Sequence, residues 1–222
     1  MADQDYNYEP FANTAEYRDI NRKIIVCWIG AMVDAGVEKV ERLLDIATGI
    51  GTMVQLFLEE LPSDWEQPRV TCLDKSEGAL RQARGKLEPL VQSLSSIHSP
   101  IEKMELLEEK VNVVLWGNGI HNLSVEDQRE AVKRITSNMK EDGWFLFNTA
   151  FYEGARPEGT KSFYRYQVKE AVKYLRDKGV ERDRDRKKAE ASKFHPKSHY
   201  RELVERAGLS LQEMEELTAP LY

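Results

Sequence analysis

The sequence predicts an α/β fold built on a doubly wound, mainly parallel sheet. Apolar runs of strand length alternate with stretches of helical spacing, and most runs end at a polar or glycine-containing turn. The length of 222 residues suits one domain with a sizeable core, and the 41% of hydrophobic residues favours a globular protein over a disordered one. We therefore expect a single domain over residues 1–222.

The predicted elements follow a regular order. Apolar residues at helical spacing predict a first helix over residues 14–35, within an N-terminal helical cap over residues 1–37. Strands are predicted at Val40–Ile46, Arg69–Leu73, Ile97–Glu102, Val111–Trp116 and Gly143–Thr149. Helices are predicted between them at Thr52–Glu60, Ser76–Ser95 and Val125–Met139, the last with Ser124 as its N-cap.

The order changes after the fifth strand. A long helical segment is predicted over Phe163–Lys193, inside a helical lid insertion over residues 151–197 whose mixed-sign charges are typical of a solvated face. A helix over Ser198–Ala207, ended by Gly208, and a sixth strand over Leu209–Leu217 follow. Only five residues remain after that strand, so we expect a shortened or truncated C-terminus and an exposed strand edge that promotes homo-oligomers.

The composition restricts partners and location. A formal net charge of −6 argues against nucleic acid, and no stretch is long or apolar enough to span a membrane. The first ten residues are acidic and polar, unlike a signal peptide, and Cys27 and Cys72 lie in apolar stretches as expected for buried, reduced thiols. We therefore expect a cytoplasmic protein with no membrane or nucleic-acid partner.

The stretch LLDIATGIGTMVQLF, residues 43–57, predicts a strand, a small-residue turn and a helix. Ligands of parallel α/β sheets bind at the carboxyl ends of strands, where glycines let the ligand approach the backbone. A dinucleotide fingerprint requires a third glycine where this chain has Val54, and Asp45 would repel a pyrophosphate. S-adenosyl-L-methionine (SAM) carries a sulfonium and an ammonium instead, so Asp45 would favour it.

At this point the chain resembles the class I SAM-dependent methyltransferases. DIATGIGT resembles their first motif, with Ala47 in the first glycine position, and VTCLDKSEGALRQAR resembles their second. VNVVLWGNGIHNL, NMKEDGWFLFN and ELVERAGLSLQEM resemble their fourth-strand, fifth-strand and last-helix motifs. In the fourth-strand motif, Asn112 stands where many members have aspartate. The resemblance implies a Rossmann-like sheet in the order 3-2-1-4-5-7-6, here with a short or missing seventh strand.

The resemblance also implies the site. Asp45 faces the cofactor, the turn contributes its backbone, and Asp74 binds the ribose hydroxyls, although it could instead cap the next helix. Ile101 could cover the adenine ring, and Trp116 and Gly117 could pass the methionine portion. The expected cofactor-binding set is Asp45, Ala47, Thr48, Gly49, Gly51, Asp74, Lys75, Ile101, Trp116 and Gly117.

The candidates for a catalytic base are His121, Tyr152 and His195. A histidine at a strand–helix turn is often structural, so His121 has that alternative. His195 and His199 have the spacing of a metal pair, but no third ligand is evident and we expect no metal site.

The aromatic residues after the fifth strand predict a lid over a small, partly apolar or aromatic substrate, which makes a methyltransferase the leading hypothesis. The alternatives are a SAM-binding structural partner in a biosynthetic complex, without methyl transfer, and a nucleotide-dependent dehydrogenase.

Overall fold

The computed structural model describes residues 12–155 and 194–217, together with residues 166, 169–170, 172–174 and 176–179. The predicted helix over Phe163–Lys193 lies largely outside these residues, although the described positions from 166 to 177 are helical. No helix within the described ranges combines the length and the apolar character needed to cross a bilayer.

Strands and helices alternate along the chain. The strands are β1 (Arg42–Ile46), β2 (Arg69–Asp74), β3 (Ser93–His98), β4 (Val111–Gly117) and β5 (Met139–Asn148). The helices are α1 (Ala15–Asp34), α2 (Thr52–Glu60), α3 (Glu77–Leu87), α4 (Val125–Asn138) and α5 (Lys197–Arg206). Short 3₁₀ turns lie at Glu88–Leu90, Ile101–Lys103 and Ile120–Asn122. The predicted N-cap of α4 is confirmed, because the Ser124 side chain accepts a hydrogen bond from the Asp127 amide.

The five strands form one parallel sheet in the order β3-β2-β1-β4-β5. Ile46 lies beside both Leu73 and Trp116, and Gly117 lies beside Asn148. The carboxyl ends of β1, β2, β4 and β5 therefore lie at one edge of the sheet. Strands β2 and β3 are added on one side of β1 and strands β4 and β5 on the other, so the strand order reverses between β1 and β4. That edge is where the order predicts a ligand.

Both faces of the sheet are covered by helices. Leu43, Val113 and Leu115 pack into one apolar cluster with buried residues of α1, α2 and α3. Their neighbours in sequence, Leu44 and Val114, pack into a second cluster with residues of α4 and α5. Because successive side chains of a strand point to opposite faces, this alternation confirms the predicted doubly wound fold.

The third strand differs from its prediction. The helix predicted over Ser76–Ser95 ends at Leu87, and β3 begins at Ser93, before the predicted Ile97–Glu102. Pro89 explains the early end, since it has no amide proton to donate to the Gly85 carbonyl and so cannot continue an α-helix. β3 is an edge strand rich in serine and partly exposed, so it lacks the apolar run that marks a buried strand.

The start of the fifth strand and the predicted sixth strand also differ from the structure. β5 starts at Met139 rather than Gly143, because Met139 pairs with Val111 before the register shifts and Trp144 pairs with Val113. The predicted sixth strand, Leu209–Leu217, is wrong: these residues form no strand and are mostly exposed. Their acidic side chains make other contacts, as in the ion pair between Glu216 and Lys197 at 2.5 Å.

Candidate active site

The turn after β1 has the backbone geometry of a ligand-binding loop. Ala47, Gly49 and Gly51 all have positive φ angles, of 53°, 54° and 81°. Thr48 fixes the turn over β2: its amide donates to the Leu73 carbonyl at 3.1 Å, and its hydroxyl donates to the Asp45 carbonyl at 3.0 Å. The turn therefore lies across the carboxyl ends of β1 and β2.

The two glycines have different surroundings. A Cβ atom on Gly51 would lie 2.9 Å from Leu87 Cδ1 and 3.4 Å from Ala83 Cβ, so this glycine lets α3 pack against the turn. A Cβ atom on Gly49 would meet nothing closer than the Ala47 carbonyl oxygen at 4.0 Å. Gly49 therefore borders open space in which a ligand can approach the backbone.

Asp45 is the residue before the end of β1, and its carboxyl group is buried. Its Oδ2 atom is inaccessible to solvent and has no hydrogen-bond partner among the described residues. Burial raises its pKa to about 8; the Thr48 hydroxyl opposes this rise, and the charge of Asp74 adds to it. A buried, unpaired carboxylate favours a cationic partner.

Asp74 holds two turns together. Its Oδ2 accepts a hydrogen bond from the Gly49 amide at 2.8 Å, and its Oδ1 accepts one from the Ser76 amide at 2.9 Å. The Ser76 side chain caps α3 by accepting from the Ala79 amide, so the alternative role of Asp74 as the helix cap is wrong. Lys75 is exposed, and its carbonyl accepts from His98 Nε2 at 2.9 Å.

Further buried polar atoms without partners in the described structure lie at the same edge. Glu102 Oε2 is one, in the 3₁₀ turn after β3 beside the buried Ile101. The others are Thr52 Oγ1, at the start of α2, and Trp116 Nε1, near the end of β4. Buried polar groups are normally paired, so such unpaired atoms mark a place for a bound polar ligand.

The loop after β4 packs tightly against the turn after β1. A Cβ atom on Gly119 would lie 2.3 Å from Trp116 Nε1 and 3.1 Å from Ala47 Cβ, while one on Gly117 would lie 2.5 Å from Met53 Cγ. These glycines allow the two loops to meet. Gly117 and the buried Trp116 are thus placed beside the turn; their contact with the methionine portion stays a prediction.

His121 lies in the 3₁₀ turn that follows this loop. The ring is buried and stacks on Phe151, with the ring centroids 4.0 Å apart. Its Nδ1 atom lies 3.2 Å from the Thr149 hydroxyl. Burial lowers the pKa of His121 to about 4, so the imidazole is neutral at physiological pH.

Tyr152 and His195 are joined through their backbones. They form an isolated parallel bridge, and the Glu153 amide donates to the His195 carbonyl at 2.8 Å. Burial, followed by the neighbouring Glu216, raises the pKa of Tyr152 to about 12, so its phenol stays protonated. The His195 ring stacks on His199 with centroids 4.2 Å apart. The three candidate bases thus lie on connected segments.

An amide network that the sequence analysis missed joins α1 to this edge. Asn148, at the end of β5, accepts from the Asn118 amide at 2.8 Å and donates to Asn21 Oδ1 at 3.2 Å. Asn118 has a φ of 53° and accepts from the Ala150 amide at 3.0 Å. Tyr17 is another residue of α1, and burial and then the charge of Asp45 raise its pKa. The available signal was an asparagine just after β4 and another at the end of β5.

A glycine turn, two acids near strand ends and a reversal of strand order between β1 and β4 define a class: a Rossmann-like domain with a candidate ligand site at the carboxyl edge of its sheet. Residues 43–143 match the model of a family described as a methyltransferase domain. This match confirms the predicted resemblance to the class I SAM-dependent methyltransferases, whose cofactor is SAM, over residues 43–143.

Solved structures share this fold. A protein assigned as a methyltransferase from Haloferax volcanii, in complex with the Trm112 methyltransferase activator, aligns with a TM-score of 0.58 and 15% identity over 93% of this chain and 78% of its own. One from Bacillus halodurans C-125, also assigned as a methyltransferase, aligns at 0.55 and 22% identity over 83% and 69%. The N-methyltransferase NodS from Bradyrhizobium japonicum WM9, in complex with S-adenosyl-L-homocysteine, aligns at 0.52 and 15% identity over 70% and 71%.

The chain spans only part of the first three solved structures that it matches, since the alignments cover 54%, 69% and 78% of their lengths. None of the curated proteins compared with this chain matches it.

Proposed function

We propose that the protein transfers a methyl group from SAM to a small, partly apolar or aromatic molecule. The observation that carries the proposal is the pair of strand-end carboxyl groups, Asp45 and Asp74, on either side of the Gly49 turn. An unpaired buried acid next to an open glycine backbone suits a ligand with positive charge and no phosphate. When bound, SAM supplies an activated methyl group on its sulfonium.

The cofactor is proposed to lie along the carboxyl edge of the sheet. Asp74 would bind the ribose hydroxyls, with Ala47, Thr48, Gly49, Gly51 and Lys75 contributing backbone contacts. Ile101 would cover the adenine, and the unpaired Glu102 Oε2 would accept from its amino group. The methionine portion would lie between Asp45 and the loop of Trp116 and Gly117.

The structure argues against a nucleotide-dependent dehydrogenase. Val54 replaces the third glycine of a dinucleotide fingerprint and is fully buried in the core that α2 shares with the sheet. A pyrophosphate at the Gly49 turn would also face the Asp74 carboxylate, which accepts from the Gly49 amide. The charge of the site therefore disfavours a phosphate-bearing cofactor.

The acceptor side is proposed to be the aromatic region around Phe151. Phe151 contacts the His121 ring on one side and Phe194 on another, with the Phe194 centroid 5.8 Å away. The lowered pKa of His121, about 4, makes its imidazole a weak base, and Tyr152 stays protonated because its pKa is raised to about 12. We therefore propose that alignment of the acceptor supplies most of the rate acceleration.

Two segments are proposed to close the site. The cap over residues 1–37 contributes α1, which contacts Asn148 through Asn21. The insertion over residues 151–197 begins and ends at the bridge between Tyr152 and His195. Closure over the acceptor would exclude water and hold the reactants in place.

The alternative without methyl transfer rested on two departures from the family pattern. Ala47 adopts the positive φ of the turn, so it does not disturb the loop. Asn112 lies near the amino end of β4, where its side chain accepts from the Arg42 amide at 3.1 Å, remote from the carboxyl edge. The structure therefore gives no reason to favour a non-catalytic role.

A second copy of the chain is proposed to pair with β5. In the described part of the chain β5 pairs only with β4, and an unpaired strand edge invites pairing. Light scattering should show self-association that increases with concentration. A monomer at high concentration would contradict this part of the proposal.

The experiment that tests the function is transfer of a labelled methyl group from SAM to a panel of small phenols, amines and carboxylic acids. We expect transfer by the wild type and at least a tenfold loss in Asp74→Ala, since its charge-assisted hydrogen bonds are removed. SAM binding by calorimetry without transfer to any acceptor would instead support the non-catalytic alternative.

A further inference from the structure

A buried amide holds the turn that carries His121. Gln128, on α4, is inaccessible to solvent, and its side-chain nitrogen donates to the carbonyls of Ile120 and Leu123, at 3.2 Å each. One carbonyl belongs to the first residue of the 3₁₀ turn and the other to the residue just after it. Gln128 therefore fixes both ends of the turn relative to α4.

The oxygen of the same amide contacts helix α5. Gln128 Oε1 lies 2.7 Å from His199 Nε2. Because a carbonyl oxygen can only accept, the amide nitrogen must face Ile120 and Leu123, and the amide oxygen must then face His199. His199 Nε2 therefore donates to Gln128. A charged His199 has a proton on the same nitrogen, so the bond does not require a particular charge on the ring.

The burial of Gln128 is unusual for its position. The next buried residues along this side of α4 are apolar, namely Ala131, Val132 and Ile135. A buried amide costs free energy unless its polar groups are paired, and here both N–H groups and the oxygen have partners. A satisfied buried network restricts the chain to one arrangement. The amide thus supports one defined position of the turn.

The position of the turn determines where the His121 ring lies. The ring stacks on Phe151 with the centroids 4.0 Å apart, and Phe194 contacts Phe151 edge-on at 5.8 Å. Phe194 lies near the end of the insertion over residues 151–197, and His199 lies in the helix that follows it. This part of the chain therefore reaches the turn by two routes, through the rings and through Gln128.

We propose that Gln128 and His199 are positioning residues of the acceptor side, which hold the turn of His121 so that its ring stays stacked on Phe151. Both act through the backbone of the turn rather than on the acceptor itself. The link between α5 and the turn rests on the hydrogen bonds alone. The contribution of the placed ring to methyl transfer rests on the proposed function.

The test is NMR of the histidine ring protons at pH 8, without ligands. The stacked Phe151 ring should shift the His121 signals upfield, and Phe151→Leu gives their position without that ring. In Gln128→Leu and in His199→Leu we expect the His121 signals to move toward the Phe151→Leu position. His199→Gln places an amide N–H near the position of Nε2, so it should recover the wild-type signals.

Two controls accompany these variants. Glu205→Ala changes an exposed residue of α5 and should leave the His121 signals at their wild-type position. His98 lies at the end of β3, where its Nε2 atom is 2.9 Å from the Lys75 carbonyl. Unchanged His98 signals therefore report that a variant is folded.

Wild-type His121 signals in a folded Gln128→Leu overturn the proposal. If Gln128→Leu fails to fold, the two variants of His199 replace it. A shift of the His121 signals in His199→Leu that is absent in His199→Gln is then the expected result. Equal signals in these two variants contradict the proposal, because only one of them keeps the donor.

The kinetics of methyl transfer separate a positioning role from a merely structural one. In Gln128→Leu we expect kcat to fall about tenfold while KM for SAM stays within about twofold of wild type, since the turn is proposed to border the acceptor. An unchanged kcat in a folded variant whose His121 signals have moved would overturn the positioning role. The expected NMR results in a protein that transfers no methyl group would refute the proposed function alone.

Discussion

The Asp74 carboxylate accepts a hydrogen bond from the Gly49 amide at 2.8 Å and so ties the end of β2 to the glycine turn after β1. The same carboxylate accepts from the Ser76 amide, and these bonds hold its side chain at the edge of the sheet. A ribose placed beside this turn would meet an oriented acceptor. Preorganisation of this kind reduces the cost of binding.

We expect Asp74→Ala to weaken SAM binding by roughly 10- to 150-fold, which corresponds to the loss of about 1.5–3 kcal/mol of charge-assisted hydrogen bonding. Isothermal titration calorimetry measures the change. Glu77→Ala is the matched control, since Glu77 is an exposed acid at the start of α3 that pairs with Arg81. Equal dissociation constants for wild type and Asp74→Ala would remove Asp74 from the site.

Alanine at the two turn glycines should have separable effects. Gly51→Ala brings a methyl group to 2.9 Å from Leu87 Cδ1 at a φ of 81°, so we expect a loss of about 1–3 kcal/mol in the free energy of unfolding. Gly49→Ala faces open space and should cost about 1 kcal/mol through its φ alone.

The effects on SAM binding should have the opposite order: among variants that fold, Gly49→Ala should lose more SAM affinity than Gly51→Ala. The methyl group of Gly49→Ala would occupy the space through which the ligand approaches, so we expect a loss of SAM affinity larger than its loss of stability. Urea denaturation and calorimetry on both variants make the comparison. Full SAM affinity in Gly49→Ala would show that the ligand does not approach this backbone.

The pH dependence of stability should contain a contribution from Asp45. Its folded pKa of about 8 lies above that of an unfolded aspartate, near 4, so the folded protein retains a proton that the unfolded chain loses. Stability from this group is therefore complete below pH 4 and falls as pH rises toward 8.

Asp45→Asn removes this titration. We expect the variant to gain stability relative to wild type by about 2 kcal/mol between pH 5 and pH 7. Urea denaturation at both pH values compares the two proteins, and contributions from other groups cancel in the difference. A constant difference across this range would contradict the raised pKa of Asp45.

The lid proposal predicts slower hydrogen exchange on binding. Peptides from residues 151–197 should exchange faster than β1 and β4 in the free protein, and should gain protection when S-adenosyl-L-homocysteine and an acceptor bind together. Mass spectrometry follows each peptide. Equal protection with and without ligands would indicate a fixed structural layer.

The sequence predicted the parts of the fold that have a strong local signal. β1, β2 and β4 are apolar runs buried on both faces, and α2 was predicted with the bounds that the structure has. β3 was misplaced because a mostly exposed edge strand with several serines lacks an apolar run. Leu209–Leu217 alternates like a strand, yet no neighbouring strand pairs with it in the described sheet.

The site was also predictable only in part, because only some of its residues have a local sequence signal. Motif spacing places Asp45, Gly49 and Asp74 because each lies within three residues of the end of a strand. The link from Asn148 to Asn21 spans 127 positions, and no local pattern shows which distant side chains will meet. The pKa values of His121 and Tyr152 likewise depend on burial by elements distant in sequence.

The central claim is that the edge formed by Asp45, Gly49 and Asp74 binds SAM. Titration of S-adenosyl-L-homocysteine and of NAD⁺ into the same preparation by calorimetry tests it most directly. The account predicts saturable binding of one S-adenosyl-L-homocysteine per chain, weakened in Asp74→Ala and unaffected by NAD⁺, which gives no binding heat. Binding of NAD⁺ that competes with S-adenosyl-L-homocysteine, or no binding of S-adenosyl-L-homocysteine to the folded protein, would contradict it.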